Sequence, residues 1–305
     1  MSFAALFPGQ GSQSIGMARD FFDSSPAARA VLEEADATLP GLLDLMFEGP
    51  LESLTLTANQ QPALVTAGMA SWAAWREAGG PAPAFAAGHS LGEFTALCAS
   101  GVLELSDTLR LVRRRGELMQ EAVPAGAGAM AAVMKLDPGQ IGDALAKIDG
   151  TVEIANLNSP AQTVISGAAV AVTEAATVLK ELGGRVIPLK VSAPFHCSLM
   201  QPAADGLADI LAQTSFRPGS FPVFSNVTAT PHEPEHIATR LTEQVTGSVR
   251  WTESLEWLAA AGISSFTEFG SGQVLTGLVG RTLEGAAARA VTDMTSLSAA
   301  LTEVS

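Results

Sequence analysis

Ser90 lies in Gly88-His89-Ser90-Leu91-Gly92, which has the G-x-S-x-G spacing of a nucleophile elbow. A short apolar run, residues 85–87, precedes it and an apolar helical stretch through Ala99 follows. That setting places the serine on a sharp strand-to-helix turn, flanked by glycines because the turn leaves no room for nearby Cβ atoms. The start of the following helix offers unpaired backbone N–H groups to a developing oxyanion, with Leu91 the nearest.

A serine hydroxyl needs a base, and the chain has four histidines. His89 is adjacent to Ser90 and is expected to point elsewhere. His232 and His236 sit in Pro231-His232-Glu233-Pro234-Glu235-His236, which reads as a solvated loop. His196 lies in Ser192-Ala193-Pro194-Phe195-His196-Cys197, an apolar, proline-fixed stretch just after a predicted strand, and is the best-placed base.

Arg113, Arg114 and Arg115 run together in a helix opened by Ser106-Asp107. The first two read as a solvated face. Arg115 stands at i+4 from Leu111 and i+3 from Val112, on their apolar side. A guanidinium facing inward calls for an anion, since burying it unpaired is expensive. Its planar fork suits a substrate carboxylate held by two parallel hydrogen bonds. Together these residues describe a serine acyl-transfer enzyme with an internal arginine. Hydrolysis and transfer both stay open, as does the acyl group.

The elements that must position these groups follow from the apolar runs. Residues 3–7 form a buried strand ending in the Pro8-Gly9-Gln10-Gly11-Ser12 loop. Helical patterning covers residues 26–37 and 62–78, the latter stopped by Gly79-Gly80. Between about 125 and 193 the order changes to strand 130–134, helix 137–148, strands 152–156 and 163–166, helix 171–182 and strand 186–191. This β-α-β-β-α-β order is the ferredoxin-like pattern. Beyond it, a strand at 221–226, helices from His236 and Thr252, and a strand at 265–269 resume the α/β alternation. The expected fold class is therefore α/β, a mainly parallel sheet covered on both faces plus an inserted ferredoxin-like small domain. The expected division is residues 1–124 and 194–305 for the large domain and 125–193 for the small one.

The 305 residues are enough for one large domain with an insertion. A hydrophobic fraction of 47% with 16% charged residues fits a globular enzyme. A net charge of −14 argues against a nucleic-acid partner. No signal peptide or membrane-spanning run is visible. Cys98 and Cys197 lack metal-site spacing and fit a reducing cytoplasm, so the expectation is a cytoplasmic protein with no metal.

Five motifs occur in order: Phe7-Pro8-Gly9-Gln10-Gly11-Ser12-Gln13, Gly88-His89-Ser90-Leu91-Gly92-Glu93, Arg115-Gly116, Pro194-Phe195-His196, and Gln244 ahead of Val249-Arg250-Trp251. Together they resemble the malonyl-CoA:acyl-carrier-protein transacylases and the related acyltransferase domains of polyketide synthases, over essentially the whole chain. The resemblance implies a hydrolase-like α/β core with its catalytic cleft against the ferredoxin-like insertion. It implies Ser90 as nucleophile, His196 as base, and the backbone N–H groups of Gln10 and Leu91 as oxyanion hole. Arg115 would grip the malonate carboxylate, and the main-chain carbonyl of Gln244 would orient His196, giving a dyad without an acidic third member. Asn156 would line the cleft from the small domain, and Phe195 matches the malonyl-selective pattern of the polyketide branch. The implied substrates are malonyl-CoA and phosphopantetheinylated acyl carrier protein, with no cofactor. The freestanding length favours fatty-acid supply, and a discrete acyltransferase of a polyketide pathway is the alternative. Arg185 and Lys190, leading to His196, are candidates for the patch that meets an acidic carrier. Two other classes compete: a serine hydrolase, which would leave Arg115 unexplained, and an inactive carrier-binding domain, which would not need Ser90, His196 and Arg115 together.

Overall fold

The computed structural model describes residues 2–304. Among these described residues eight strands form two sheets: β1 (Ala4–Phe7), β2 (Phe85–Gly88), β3 (Gly128–Met134), β4 (Val152–Ser159), β5 (Gln162–Ala168), β6 (Arg185–Pro188), β7 (Ser265–Phe269) and β8 (Ala287–Val291). The first sheet is parallel throughout, in the order β2-β1-β7-β8. Along β1 the side chains alternate: Ala5 and Phe7 enter one apolar cluster, Ala4 and Leu6 the other. That two-residue period, apolar on both sides, is what a strand covered on both faces requires. Phe7 pairs with Gly88 in register. The loops after β1 and β2 therefore leave the sheet side by side at its carboxyl edge, where open α/β sheets hold ligands.

The second sheet is antiparallel, in the order β4-β5-β3-β6. Helices Pro138–Leu145 and Ala169–Glu181 interrupt its strands to give the ferredoxin-like βαββαβ order. The first of these helices begins with a capping box in which Asp137 and Gln140 satisfy each other's backbone N–H groups. Val133, Ile141, Ile165 and Leu179 belong to a separate apolar cluster under this sheet. The antiparallel sheet is tied to the segment before the helix Trp251–Ala260, where Asn156 of β4 bridges Val249 through Leu157 N to Val249 O and Val249 N to Ala155 O, both 2.9 Å.

The structure departs from the expected elements in four places. The expected strand at 221–226 is reduced to two isolated bridges, Ala86 to Val223 (parallel) and Phe224 to Pro231 (antiparallel). Pro222 has no N–H to extend a ladder, and the chain turns back at once through Ala229 N to Ser225 O and Ser225 N to Thr230 O. The expected strand at 186–191 stops at Pro188 for the same reason, after which Leu189 N makes one last bond to Met130 O. The helix expected from Pro62 begins earlier, Thr57–Glu77, with Pro62 inside its second turn. Strand β8, Ala-Ala-Arg-Ala-Val, was not anticipated, being short and alanine-rich. Among the described residues, no helix is long and apolar enough to cross a membrane.

Candidate active site

Gly88 ends β2 and Gly92 lies in the first turn of the helix Leu91–Ser100. A Cβ on Gly88 would meet Gly92 C at 1.8 Å, and one on Gly92 would meet Phe7 O at 2.0 Å. Only hydrogen fits at either place, so the glycines let β1, β2 and the helix converge. Between them Ser90 takes φ 52° and ψ −108°, a strained conformation for a residue with a side chain. Asn226 holds it there: its Oδ1 accepts from Ser90 N at 2.6 Å and its Nδ2 donates to Gly88 O at 2.7 Å.

Ser90 Oγ lies 2.8 Å from His196 Nε2. On the other side of the ring, Nδ1 is 2.8 Å from Gln244 O and 3.2 Å from Gly247 O. Two carbonyls can only accept, so the proton sits on Nδ1 and leaves Nε2 free to accept from the serine. Burial and then the positive charge of Arg115 push the His196 pKa down to about 3, opposed by the Gln244 and Gly247 carbonyls. The ring is thus neutral, the form a base needs.

Arg115 is 1% exposed. Its Nη1 donates to Gln61 Oε1 at 2.8 Å, and its Nη2 to Gln244 Oε1 at 2.9 Å and Ser90 Oγ at 3.2 Å. The guanidinium carbon stands 5.3 Å from the Phe94 ring centre. Among the described residues no carboxylate touches it, and its Nε has no partner. Burial pulls its pKa down to about 10, with Glu93 acting in the opposite sense. The inward position read from helix spacing is correct. The anion that such a buried cation calls for is not a side chain in direct contact.

A cavity of about 560 Å³ opens over Ser90 and His196. Gln10, Met130, Asn156, Lys190 and Phe195 line it. Gln10 is fixed through Nε2, which donates to Thr57 Oγ1 at 2.8 Å and Gln60 Oε1 at 2.6 Å. Neither Gln10 N nor Leu91 N donates a hydrogen bond within the described residues, so both remain available to an incoming oxygen. Arg185 is exposed on β6 and does not line the cavity. His89 does point away from Ser90 Oγ: its Nε2 is 2.8 Å from Asn158 Oδ1 on β4, and burial lowers its pKa.

His232 corrects the sequence reading. Its side chain is 3% exposed, not solvated, and Nε2 lies 2.7 Å from Glu93 Oε1. His236, 49% exposed at its side chain, is at the surface as expected. Four contributors went unassigned in the sequence: Glu93, Asn226, Gln61 and Asn158. Glu93 did carry a signal, as the one charged residue in the apolar helix Leu-Gly-Glu-Phe-Thr-Ala-Leu-Cys-Ala-Ser. Asn226 and Asn158 carried none, because only the tertiary fold brings them to the elbow.

The profile of the acyl transferase domain family matches residues 5–299. The chain belongs to the acyl transferase family. It is 48% identical over 282 residues to the malonyl CoA-acyl carrier protein transacylase of Bacillus subtilis, covering 90% of this chain and 89% of that one. It is 44% identical over 304 residues to the protein of the same name in Escherichia coli K12, covering 98% of each. Among solved structures, a malonyl-transacylase in complex with its type II polyketide-synthase acyl-carrier protein superposes with a TM-score of 0.97 at 43% identity, covering 99% of this chain and 100% of that one. An acyl-carrier-protein S-malonyltransferase from Bartonella henselae gives 0.96 at 44%, covering 100% and 99%. The family resemblance read from the five motifs is therefore correct, and so is the α/β fold class with its second, antiparallel sheet.

Proposed function

We propose that this acyltransferase moves a malonyl group from malonyl-CoA to the phosphopantetheine thiol of an acyl carrier protein through an ester on Ser90. The observation that carries the reading is the meeting of two groups at one oxygen. Ser90 Oγ is held by a neutral imidazole and by a buried guanidinium that no carboxylate among the described residues contacts. A hydrolase of neutral esters has no use for the second.

In the proposed sequence, His196 Nε2 takes the Ser90 proton as Oγ attacks the thioester carbonyl. The carbonyl oxygen gains the electron pair and is met by Gln10 N–H and Leu91 N–H. The tetrahedral adduct collapses, the C–S bond breaks, and His196 returns the proton to the departing thiolate. The carrier's thiol then gives its proton to His196, attacks the malonyl ester, and Ser90 leaves with the proton restored. Arg115 Nη2 exchanges its bond to Ser90 Oγ for the free malonyl carboxylate during loading. Asn156 and Phe195 wall the cavity, and the bulk of Phe195 disfavours an α-methyl group. Gln244 O keeps the imidazole in one tautomer throughout. Every group in this sequence belongs to the chain or its two substrates, so the reading calls for no resident cofactor.

The large unit would comprise residues 1–124 and 194–305 and the small one 125–193, the cleft lying between them. Free thiols at Cys98 and Cys197 fit a cytoplasmic setting. We take the role to be supply of fatty-acid synthesis; a polyketide pathway would need the same chemistry, and a carrier-preference assay separates the two. The test of the activity is intact mass after brief exposure to malonyl-CoA, methylmalonyl-CoA and acetyl-CoA separately. A malonyl adduct on Ser90 that a carrier thiol removes far faster than water is expected. No adduct, or release as free malonate at the same rate, would overturn the proposal.

A further inference from the structure

Glu93 is fully buried one turn beyond the nucleophile, and nothing in the reaction sequence above uses it. Both of its oxygens are occupied by donors. Oε1 accepts from His232 Nε2 at 2.7 Å; Oε2 accepts from Gln244 Nε2 at 2.7 Å and from Asn226 N at 2.9 Å. Two of these three partners are themselves bonded to the reacting constellation.

The Gln244 amide has two chemically opposite ends. Its Nε2 donates to Glu93 and also to Ser90 O at 3.0 Å, which leaves Oε1 to accept from Arg115 Nη2 at 2.9 Å. A flipped amide would set an NH₂ group against the guanidinium and an oxygen against the carboxylate, two repulsive contacts in a water-free interior. The carboxylate thereby decides which way the amide faces, and through it where Arg115 can point. The same residue's main-chain carbonyl receives His196 Nδ1. Through Asn226, whose N–H is pinned to Glu93 and whose side chain clamps Ser90 N and Gly88 O, the carboxylate also braces the strained elbow. Its negative charge acts on Arg115 without direct contact, favouring the protonated guanidinium.

We infer that Glu93, held in orientation by His232, is a positioning residue that sets the polarity of the Gln244 amide and so aligns Arg115 for a substrate carboxylate. His232 gives the carboxylate a fixed rotamer: without that bond Oε1 would be a buried acceptor with no partner, and the group would be free to turn. Remaining donors would then hold Oε2 alone.

The inference rests on the malonyl-transfer reading, and the test keeps the two apart. Steady-state rates with malonyl-CoA and acetyl-CoA are measured for wild type, Glu93→Gln, His232→Ala and His232→Gln, each per folded molecule as judged by near-ultraviolet circular dichroism. Misplacing a binding group by about 1 Å costs roughly a hundredfold. Glu93→Gln is expected to lower kcat/KM for malonyl-CoA by roughly tenfold to a hundredfold and to lower the malonyl-to-acetyl ratio with it. His232→Ala is expected to lower both by a smaller factor, and His232→Gln, which keeps an N–H donor near Oε1, to restore the ratio. A purely structural role would lower the melting temperature while leaving rate and ratio per folded molecule at wild-type values, and that result overturns the inference. If Glu93→Gln does not fold, His232→Ala decides on the same two readouts. Failure of the wild type to transfer malonate would overturn the transfer reading itself, a result distinct from any pattern among variants.

Discussion

The two sheets meet the cleft in different ways. The parallel sheet delivers its chemistry at strand ends: β1 runs into the Gln10 loop, β2 into Ser90, and the backbone there is so close-packed that Gly88 and Gly92 admit no side chain. The antiparallel sheet delivers a wall, with Met130 and Asn156 lining the cavity and Asn158 reaching His89. Its own core under β3 and β5 is a separate apolar cluster. Ser90 and Gln10 thus sit on tightly packed turns within a polar network, whereas the cleft wall belongs to a sheet with one apolar cluster of its own and a second face, Met130, Ala132, Ala155 and Val164, that joins the large cluster. Damage on the first side should therefore abolish chemistry or folding, whereas change on the second should adjust selectivity or stability by modest amounts.

The largest effect should come from Ser90, the proposed nucleophile. Ser90→Ala is expected to lose transfer by on the order of a millionfold, with His196→Ala nearly as severe and the double variant hardly worse, because the two act as a unit. Single-turnover loading from labelled malonyl-CoA measures it. A malonyl adduct at wild-type rate on the serine-less enzyme would remove Ser90 from the role.

Arg115→Ala comes next. A buried charge deprived of its partner costs about 3–5 kcal/mol, a discrimination of roughly a hundredfold to a few thousandfold. The malonyl-to-acetyl ratio of kcat/KM should fall by that order, and Arg115→Lys should recover only part of it. The acid side of the pH profile offers an independent check. Burial and Arg115 together hold His196 at about 3, so activity that needs the neutral ring should persist well below the ordinary histidine range. Removing the arginine takes away a charge that lowers this pKa, and the acid limb should move to higher pH. A limb that stays put or moves down would contradict the electrostatic account.

A pair of glycines contrasts the two regions directly. In Gly92→Ala the new Cβ would fall 2.0 Å from Phe7 O, a backbone atom that cannot swing aside. The expected loss is at least about 3 kcal/mol of stability, read by chemical denaturation. Charge reversal at Arg185 on β6 should act more mildly, raising the carrier's KM a few-fold in a salt-sensitive way while malonyl-CoA loading is unchanged. Lys190, at the cavity itself, should respond more than Arg185; an unchanged carrier KM in both variants would place the docking patch elsewhere. The smallest change is Gly142→Ala in the small-sheet helix Pro138–Leu145, where a Cβ meets nothing within 4 Å. It should raise stability by about 0.5–1 kcal/mol, since alanine loses less backbone entropy on folding.

Much of this was legible in the sequence, for identifiable reasons. An elbow is built by neighbours in the chain, so the glycine spacing, with an apolar strand before it and a helix after it, located Ser90. Helical periodicity alone turned Arg115 inward, and the βαββαβ order alone identified the second sheet. Strand ends at 188 and at 221–226 were misjudged because apolar runs continue past prolines that cannot join a ladder. His232 was misjudged because its sequence neighbours are polar; Glu93, which explains its burial, lies 139 residues away.

What the sequence determined by itself, then, is the set of groups whose partners are local: Ser90 on its turn, Arg115 on its helix face, the capped helices and alternating strands. What only the tertiary structure decided is how those groups are oriented. His196 meets Ser90 across 106 residues, Gln244 meets Glu93 across 151, and Asn226 meets Ser90 across 136. Hydrogen bonds at such separations leave no periodicity or spacing in the chain. They depend on packed strands and helices bringing donors within about 3 Å of acceptors, a condition that exists only once the whole fold has formed.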